Sequence, residues 1–308
     1  MRFGDGAAAP DALLRLHERH PERYPVLLES VGGDTELGRY DLLLALPGAM
    51  LLQHADGRLD GPAPAAGQQR FLAALDACWR AERVAPHEVA PAPFVGGWFL
   101  YLGYELAGEI EPTLRLPRAG LPRALAWRMH GAVVRDRQTG ALRLHAEAGF
   151  EARLGTQFAA DLAGLGEAAG PVAANGVIAG AMHEEPAERF LKGVRAVLDA
   201  IGRGDVYQAN LSRAWQARLA PGVRPSELYR RLRAANPAPF AGSAVLPGFD
   251  LLSSSPERLL RIRGNVASTR PIAGTRPRGI TAAHDEALRV ELRLNEKEQA
   301  EHVMLVDL

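Results

Sequence analysis

SPERLLRIRGNVASTRPIAGTRPRG, residues 255–279, reads as a tight hairpin with a carboxylate at one end and a Gly-Thr pair at the other. Residues 259–263 are strand-like, Gly264-Asn265 is a two-residue turn signal, and residues 266–272 form a returning strand. With Gly264 and Asn265 as the loop, Arg263 pairs with Val266. Counting outward puts Glu257 opposite Ile272, beside Ala273, Gly274 and Thr275. An acid next to a close-approach backbone and a hydroxyl suits protonation of a leaving group while the substrate is held. A surface hairpin with an exposed glutamate fits the same spacing.

Beyond the hairpin, a helix is expected from Asn295 onward. Asn295 is a good N-cap, and Glu298 three residues on completes a capping-box-like pattern. Glu301 follows on the same face. Two carboxylates at that spacing can support a hard cation such as Mg²⁺, and a solvated helix face gives the same pattern. Upstream, Phe190, Val194, Val197, Leu198 and Ile201 share one helical face, with Pro186 near the start and Gly202 and Gly204 as stops. Residues 206–215 read as a strand with Gln208, Asn210 and Ser212 on one face. That face can line a polar site or simply be wet.

Residues 1–165 alternate strand-like runs (40–46, 97–102, 131–134) with turn residues, an α+β pattern with antiparallel strands. A Gly- and Ala-rich stretch, 166–180, reads as a linker, which leaves 181–308 as a second domain. The 308 residues carry 47% hydrophobic and 23% charged side chains, ordinary for a globular protein. A formal net charge of +0 gives no pointer to nucleic acid or an acidic membrane surface. One cysteine, Cys78, rules out an internal disulfide and a cysteine metal cluster. Residues 1–6 lack the apolar core of a signal peptide, and no apolar run of about 18 residues is present, so a cytoplasmic protein is expected.

Four stretches in order carry a resemblance. These are SPERLL with RPIAGTRPRG, GDVYQANLSR at 204–213, NEKEQAEHVMLVDL at 295–308, and LLES (27–30) with LGRY (37–40). Together they resemble the chorismate-utilising enzymes: anthranilate synthase component I, aminodeoxychorismate synthase component I, and the isochorismate and salicylate synthases. The resemblance implies an anthranilate-synthase-like α+β fold with two facing antiparallel-sheet subdomains wrapped by helices. It implies Glu257 as the general acid, with a pKa raised by burial or by nearby negative charge, Gly274 and Thr275 as substrate contacts, Glu301 as a Mg²⁺ ligand, and Glu298 as an acidic neighbour of the metal. Gln208 stands where members that add water to chorismate have a lysine base, which points to amination by ammonia from a glutamine amidotransferase partner. Ala273 stands where many aminodeoxychorismate synthases have a nucleophilic lysine; Lys192 and Lys297, the only lysines, lie elsewhere.

YQANLSR, NPAPF at 236–240 and GGWFLYLGYELAG at 96–108 look more like aminodeoxychorismate synthase, which makes 4-amino-4-deoxychorismate for 4-aminobenzoate and folate. Anthranilate synthase component I is the alternative, and a non-catalytic tryptophan- or partner-binding module is a third. The resemblance further implies a tryptophan pocket made by Glu29, Ser30, Leu37, Gly38, Arg39 and Tyr40 with Pro239, Phe240 and Ala241. In the family the VDL of residues 306–308 runs on into further substrate-binding sequence. A truncated catalytic domain with no synthase activity of its own is therefore expected.

Overall fold

The described strands of this chain pair antiparallel, Phe240–Leu246 with Phe249–Ser255 and Ala124–Asp136 with Leu142–Ala146 across short turns, and Tyr40–Gln53 with Ala124–Asp136 across a long connection. The computed structural model describes residues 2–3, 11–32, 38–83, 92–117, 120–166 and 176–307. In chain order the elements up to residue 163 are β1 Arg2–Phe3, α1 Ala12–Arg19, β2 Val26–Glu29, β3 Tyr40–Gln53, β4 Leu59–Asp60, α2 Phe71–Ala81, β5 Gly97–Leu102, α3 Ala107–Ile110, β6 Ala124–Asp136, β7 Leu142–Ala146 and α4 Glu151–Ala163. Then come β8 Ile178–Glu184, α5 Ala187–Arg203, β9 Trp215–Leu219, α6 Pro225–Ala235, β10 Phe240–Leu246, β11 Phe249–Ser255, β12 Arg258–Arg263, β13 Val266–Arg270, α7 Ala282–Leu294 and α8 Glu296–Asp307. The α+β class holds.

The chain divides into two compact units, residues 1–164 with 236–308, and residues 165–235. In the first unit a nine-stranded sheet runs β1-β7-β6-β3-β2-β10-β11, with β4 beside β3 and β5 beside β6. Its long central strands, β3 and β6, alternate buried Leu43 and Leu51 with Leu125, Met129 and Val133 on their partner. Burying one such side chain stabilises by roughly 1.5–3 kcal/mol. β3 carries a register shift between Pro47 and Met50, after Leu46 at φ 56. The extra residue lets a 14-residue strand bend across the sheet. The pairing of β10 with β2 joins residue Ala241 to Glu29, so residues 236–246 run with the sheet of the first half of the chain.

A buried polar network ties α1 and α4 to this sheet. His17 contacts the Tyr24 carbonyl at 2.7 Å and the Ser243 hydroxyl at 2.9 Å. The Tyr24 hydroxyl donates to Asp161 at 2.9 Å, and Arg23 pairs with the same carboxylate. Burial pushes the His17 imidazole below its ordinary pKa.

In the second unit α5 ends as its sequence dictates: Gly204 caps it at φ 78, a left-handed conformation that glycine adopts without cost. The strand expected over 206–215 does not form there. Residues 206–214 have no ladder partner, and the strand β9 begins at Trp215, paired with β8. β8 itself begins at Ile178, inside the stretch read from sequence as linker. Arg213, the last residue of GDVYQANLSR, pairs with Glu184, donates to the Glu185 carbonyl, and sits over the Phe190 and Trp215 rings. This explains the arginine structurally, as a clamp on β8, β9 and α5.

Candidate functional site

The hairpin β12–β13 pairs Arg263 with Val266, Ile262 with Ala267 and Arg261 with Ser268, as the Gly-Asn turn demands. The register then slips: Leu259 and Leu260 stand against one residue, Thr269, and the ladder resumes at Arg258 with Arg270. Glu257 therefore does not face Ile272; it lies in the two-residue link before β12, beyond the last ladder pair. It is exposed, its backbone N–H reaching the Ser255 hydroxyl at 3.4 Å. The burial expected of a general acid is not supplied by the described residues around it.

The PIAGT loop meets α8 closely. Gly274 adopts φ 53, and a Cβ there would strike the Glu298 carboxylate and come within 3.0 Å of Leu292. Glycine is thus required twice, by conformation and by space. The helix starts where its sequence says: the Glu298 N–H donates to the Asn295 side-chain oxygen at 3.1 Å, and the Gln299 N–H to the Asn295 carbonyl at 3.0 Å. The Glu298 side chain turns to the loop and meets Arg276 at 3.3 Å. Arg276 also pairs with Glu291 of α7 at 2.9 Å and donates to the Thr275 carbonyl at 2.8 Å. Those carboxylates hold the Arg276 guanidinium pKa above its ordinary value, Glu291 first. Two residues on, Arg278 grips Asp285 with bonds of 2.8 and 2.7 Å, and the Gly279 N–H adds a third at 2.7 Å. These bonds push the Asp285 carboxyl down to about 2. RPIAGTRPRG is thereby a loop latched to α7 at two points and to α8 at one.

Behind this loop is a cavity of about 550 Å³ lined by Ala273, Leu292, Arg293, Glu298, Gln299, His302 and Val303. That is within the roughly 300–1,000 Å³ of a small-molecule site. The structure brings together Ala273, Gly274 and Glu298. Thr275 is on the same loop and exposed, and Glu301 is half-buried one turn along α8 from Glu298. Gln208 lies in the other unit, exposed in the stretch without a ladder. Arg276, Arg293 and His302 escaped the sequence reading. The signal for His302 was its position one helical turn after Glu298, on the same face.

Of the residues expected to form a tryptophan pocket, those at 29–30 lie against those at 239–241. Glu29 and Ser30 are buried at 6% exposure each, and Gly38 is buried. The Ser30 N–H donates to Asp41 at 3.0 Å and its hydroxyl to the Tyr40 carbonyl at 3.3 Å. Val31 and Gly32 N–H groups donate to the Ala238 carbonyl, and Gly32 packs so close to Pro239 that a Cβ would come within 2.9 Å of its nitrogen. Ala241 pairs with Glu29, and Phe240 precedes it on β10. Arg39 turns out to Asp136 at 2.8 Å, over the Tyr40 ring at 5.0 Å. Leu37 lies outside the described residues.

For a cation, the donors on α8 are Glu298 and Glu301, hard oxygen ligands suited to Mg²⁺. Among the described residues no group of three or more His, Cys, Asp or Glu side chains gathers to hold a metal. Arg276 already neutralises Glu298. No helix among the described residues is long and apolar enough to cross a membrane.

The model of the family "chorismate binding enzyme" matches residues 28–308, so the chain belongs to the chorismate-binding enzyme family. It is 34% identical over 274 residues to an anthranilate synthase component I-like protein of Synechocystis, covering 88% of this chain and 54% of that one. It is 47% identical over 119 residues to aminodeoxychorismate synthase component 1 of Bacillus subtilis, covering 39% of this chain and 25% of the relative. The fold matches anthranilate synthase component I from Streptococcus pneumoniae with a TM-score of 0.68 at 23% identity, over 89% of this chain and 61% of that one. The chain spans about half the length of the Synechocystis relative.

Proposed function

We propose that this chain is the chorismate-binding portion of an aminodeoxychorismate synthase component I, which aminates chorismate at its 4-position on the route to 4-aminobenzoate and folate. The observation that carries the chorismate site is the convergence of the PIAGT loop and the first two turns of α8 on one cavity of about 550 Å³. The resemblance of GGWFLYLGYELAG, residues 96–108, to aminodeoxychorismate synthases supports the 4-position.

In this reading Gly274 and Thr275 present backbone and hydroxyl to the substrate, and Arg293, on the cavity wall, offers a cation to a substrate carboxylate. Glu257 gives its proton to the departing hydroxyl, which leaves as water. Ammonia from a glutamine amidotransferase partner supplies the nitrogen and needs no base, which suits an amide at Gln208. Glu301, with Glu298 beside it, would hold Mg²⁺, whose charge would orient the ring carboxylate. Tryptophan would sit between the LLES strand and residues 239–241.

Ala273 favours a second reading. Its methyl lines the cavity where a lysine nucleophile would project. The long-covering Synechocystis relative is named for anthranilate synthase component I, which aminates at the 2-position and eliminates pyruvate. Chorismate, ammonium and Mg²⁺ given to this chain, alone and mixed with the remaining polypeptide of a longer relative, separate the two. A product converted to 4-aminobenzoate by added lyase supports 4-amination, and fluorescent anthranilate rejects it.

A further inference from the structure

A second cavity, of about 240 Å³, opens in the first unit between the end of β3, the α3 turn and the start of β6. Three backbones converge on it. The Arg123 N–H donates to the Gln53 carbonyl at 2.8 Å, and the Gly103 N–H donates to the Arg123 carbonyl at 2.8 Å. The Glu105 side chain folds back over Gly103, so close that a Cβ there would lie 3.0 Å from its carboxylate.

The polar groups here are of two kinds. Glu109 is fully committed to structure: its carboxylate accepts from Phe71 N–H at 2.7 Å, Leu72 N–H at 3.1 Å and the Gln53 amide at 3.1 Å. It caps the N-terminus of α2 from 38 residues away. Glu105 and Arg123 are different. The half-buried Glu105 carboxylate makes no hydrogen bond or ion pair with any described residue, and among the described residues the Arg123 guanidinium donates only through Nε, to the Ala55 carbonyl at 3.2 Å. Both line the cavity, and they do not pair with each other. Gln53, 4% exposed, is on the same wall, and its Oε1 has no partner although its amide nitrogen does. Half-buried charges and buried amide oxygens normally find partners.

We propose that this cavity binds a small aliphatic α-amino acid as its zwitterion. The ammonium would answer Glu105 and the Gln53 Oε1, the carboxylate would take the terminal nitrogens of Arg123, and Leu114 and Leu116 would cover the side chain. The volume falls below the roughly 300 Å³ at which drug-sized ligands begin, which fits an amino acid of a few carbons. The site uses none of the chorismate or tryptophan elements, so it stands or falls independently of the proposed reaction.

The test is calorimetric titration of the whole chain with L-leucine and L-alanine, against 3-methylbutan-1-amine and 4-methylpentanoate, which each lack one charge. The proposal expects one saturable site for an amino acid, with each single-charge analogue weaker by about tenfold or more, the loss of one charge pair. Glu105→Gln removes no bond the fold uses. It is expected to keep the parent unfolding midpoint and to lose about tenfold or more in affinity, as is Arg123→Gln in affinity. No saturable binding at about 10 mM ligand, or equal affinity in parent and Glu105→Gln, overturns it.

Discussion

Leu125 on β6 and Leu259 on β12 are the same side chain in opposite surroundings: Leu125 is 0% exposed and Leu259 is 86%. The contrast runs through their regions. Around Leu125 are Val26, Leu44, Met129 and Ala132, packed into one cluster of the nine-stranded sheet. Around Leu259, the hairpin side chains Leu260, Ile262 and Val266 are exposed too. Yet the second region carries SPER and PIAGT, the sequence with the plainest chemistry. Stability in the described structure resides in the sheet, whereas the proposed chemistry rests on a loop latched by arginines. Substitutions in the two regions should therefore move different observables.

Leu125→Ala is expected to cost about 2–5 kcal/mol in urea unfolding, while Leu259→Ala stays within about 0.5 kcal/mol. Equal costs would erase the contrast. Asp161→Ala, which strips the acceptor from buried Tyr24 and the partner from Arg23, is expected to cost about 1–3 kcal/mol in the same experiment. Gly274→Ala should behave in the opposite manner. It forces a Cβ toward Glu298 at positive φ, a local cost of about 1–3 kcal/mol. The account expects faster amide exchange at 273–276 and along the first turn of α8, with a smaller shift of the unfolding midpoint than Leu125→Ala.

Two pH experiments sharpen the contrast further. His17, buried in the sheet region, has its pKa lowered from 6.5 in the folded chain by desolvation, opposed by the Tyr24 carbonyl and by Glu18 and Asp250. Its neutral form is the folded one. Its contribution to stability is complete above pH 6.5 and is lost as pH falls below it. The stability difference between the parent and His17→Gln should shrink accordingly between pH 7 and pH 5. Asp285, on the surface of the loop region, should titrate near 2 by NMR, and Arg278→Ala should return it toward the ordinary carboxylate range without moving the midpoint appreciably.

What was legible in the sequence was mostly local. The Asn295 cap, the Gly204 helix stop and the Arg263–Val266 pair each depend on residues within four positions of one another. The slip at Leu259 and Leu260 was not legible, because a bulge leaves the apolar pattern of a short hairpin nearly unchanged; it moved Glu257 out of the expected pairing. Residues 206–214 read as strand by alternation, yet a strand needs a partner, and β8 pairs only with 215–219. The union of Glu29 with Ala241 spans most of the chain and entered the sequence reading only through the family resemblance. Arg276 was missed because its partners Glu291 and Glu298 come from two helices that only the folded chain sets beside it.

The most direct test of the central claim is where chorismate touches the chain. In amide NMR spectra recorded with chorismate and Mg²⁺, the account predicts shifts at residues 257–258, 272–276, 292–293 and 296–303, with the strands at 40–53 and 124–136 unmoved. Shifts centred on the sheet, or the same pattern in Gly274→Val as in the parent, would contradict it.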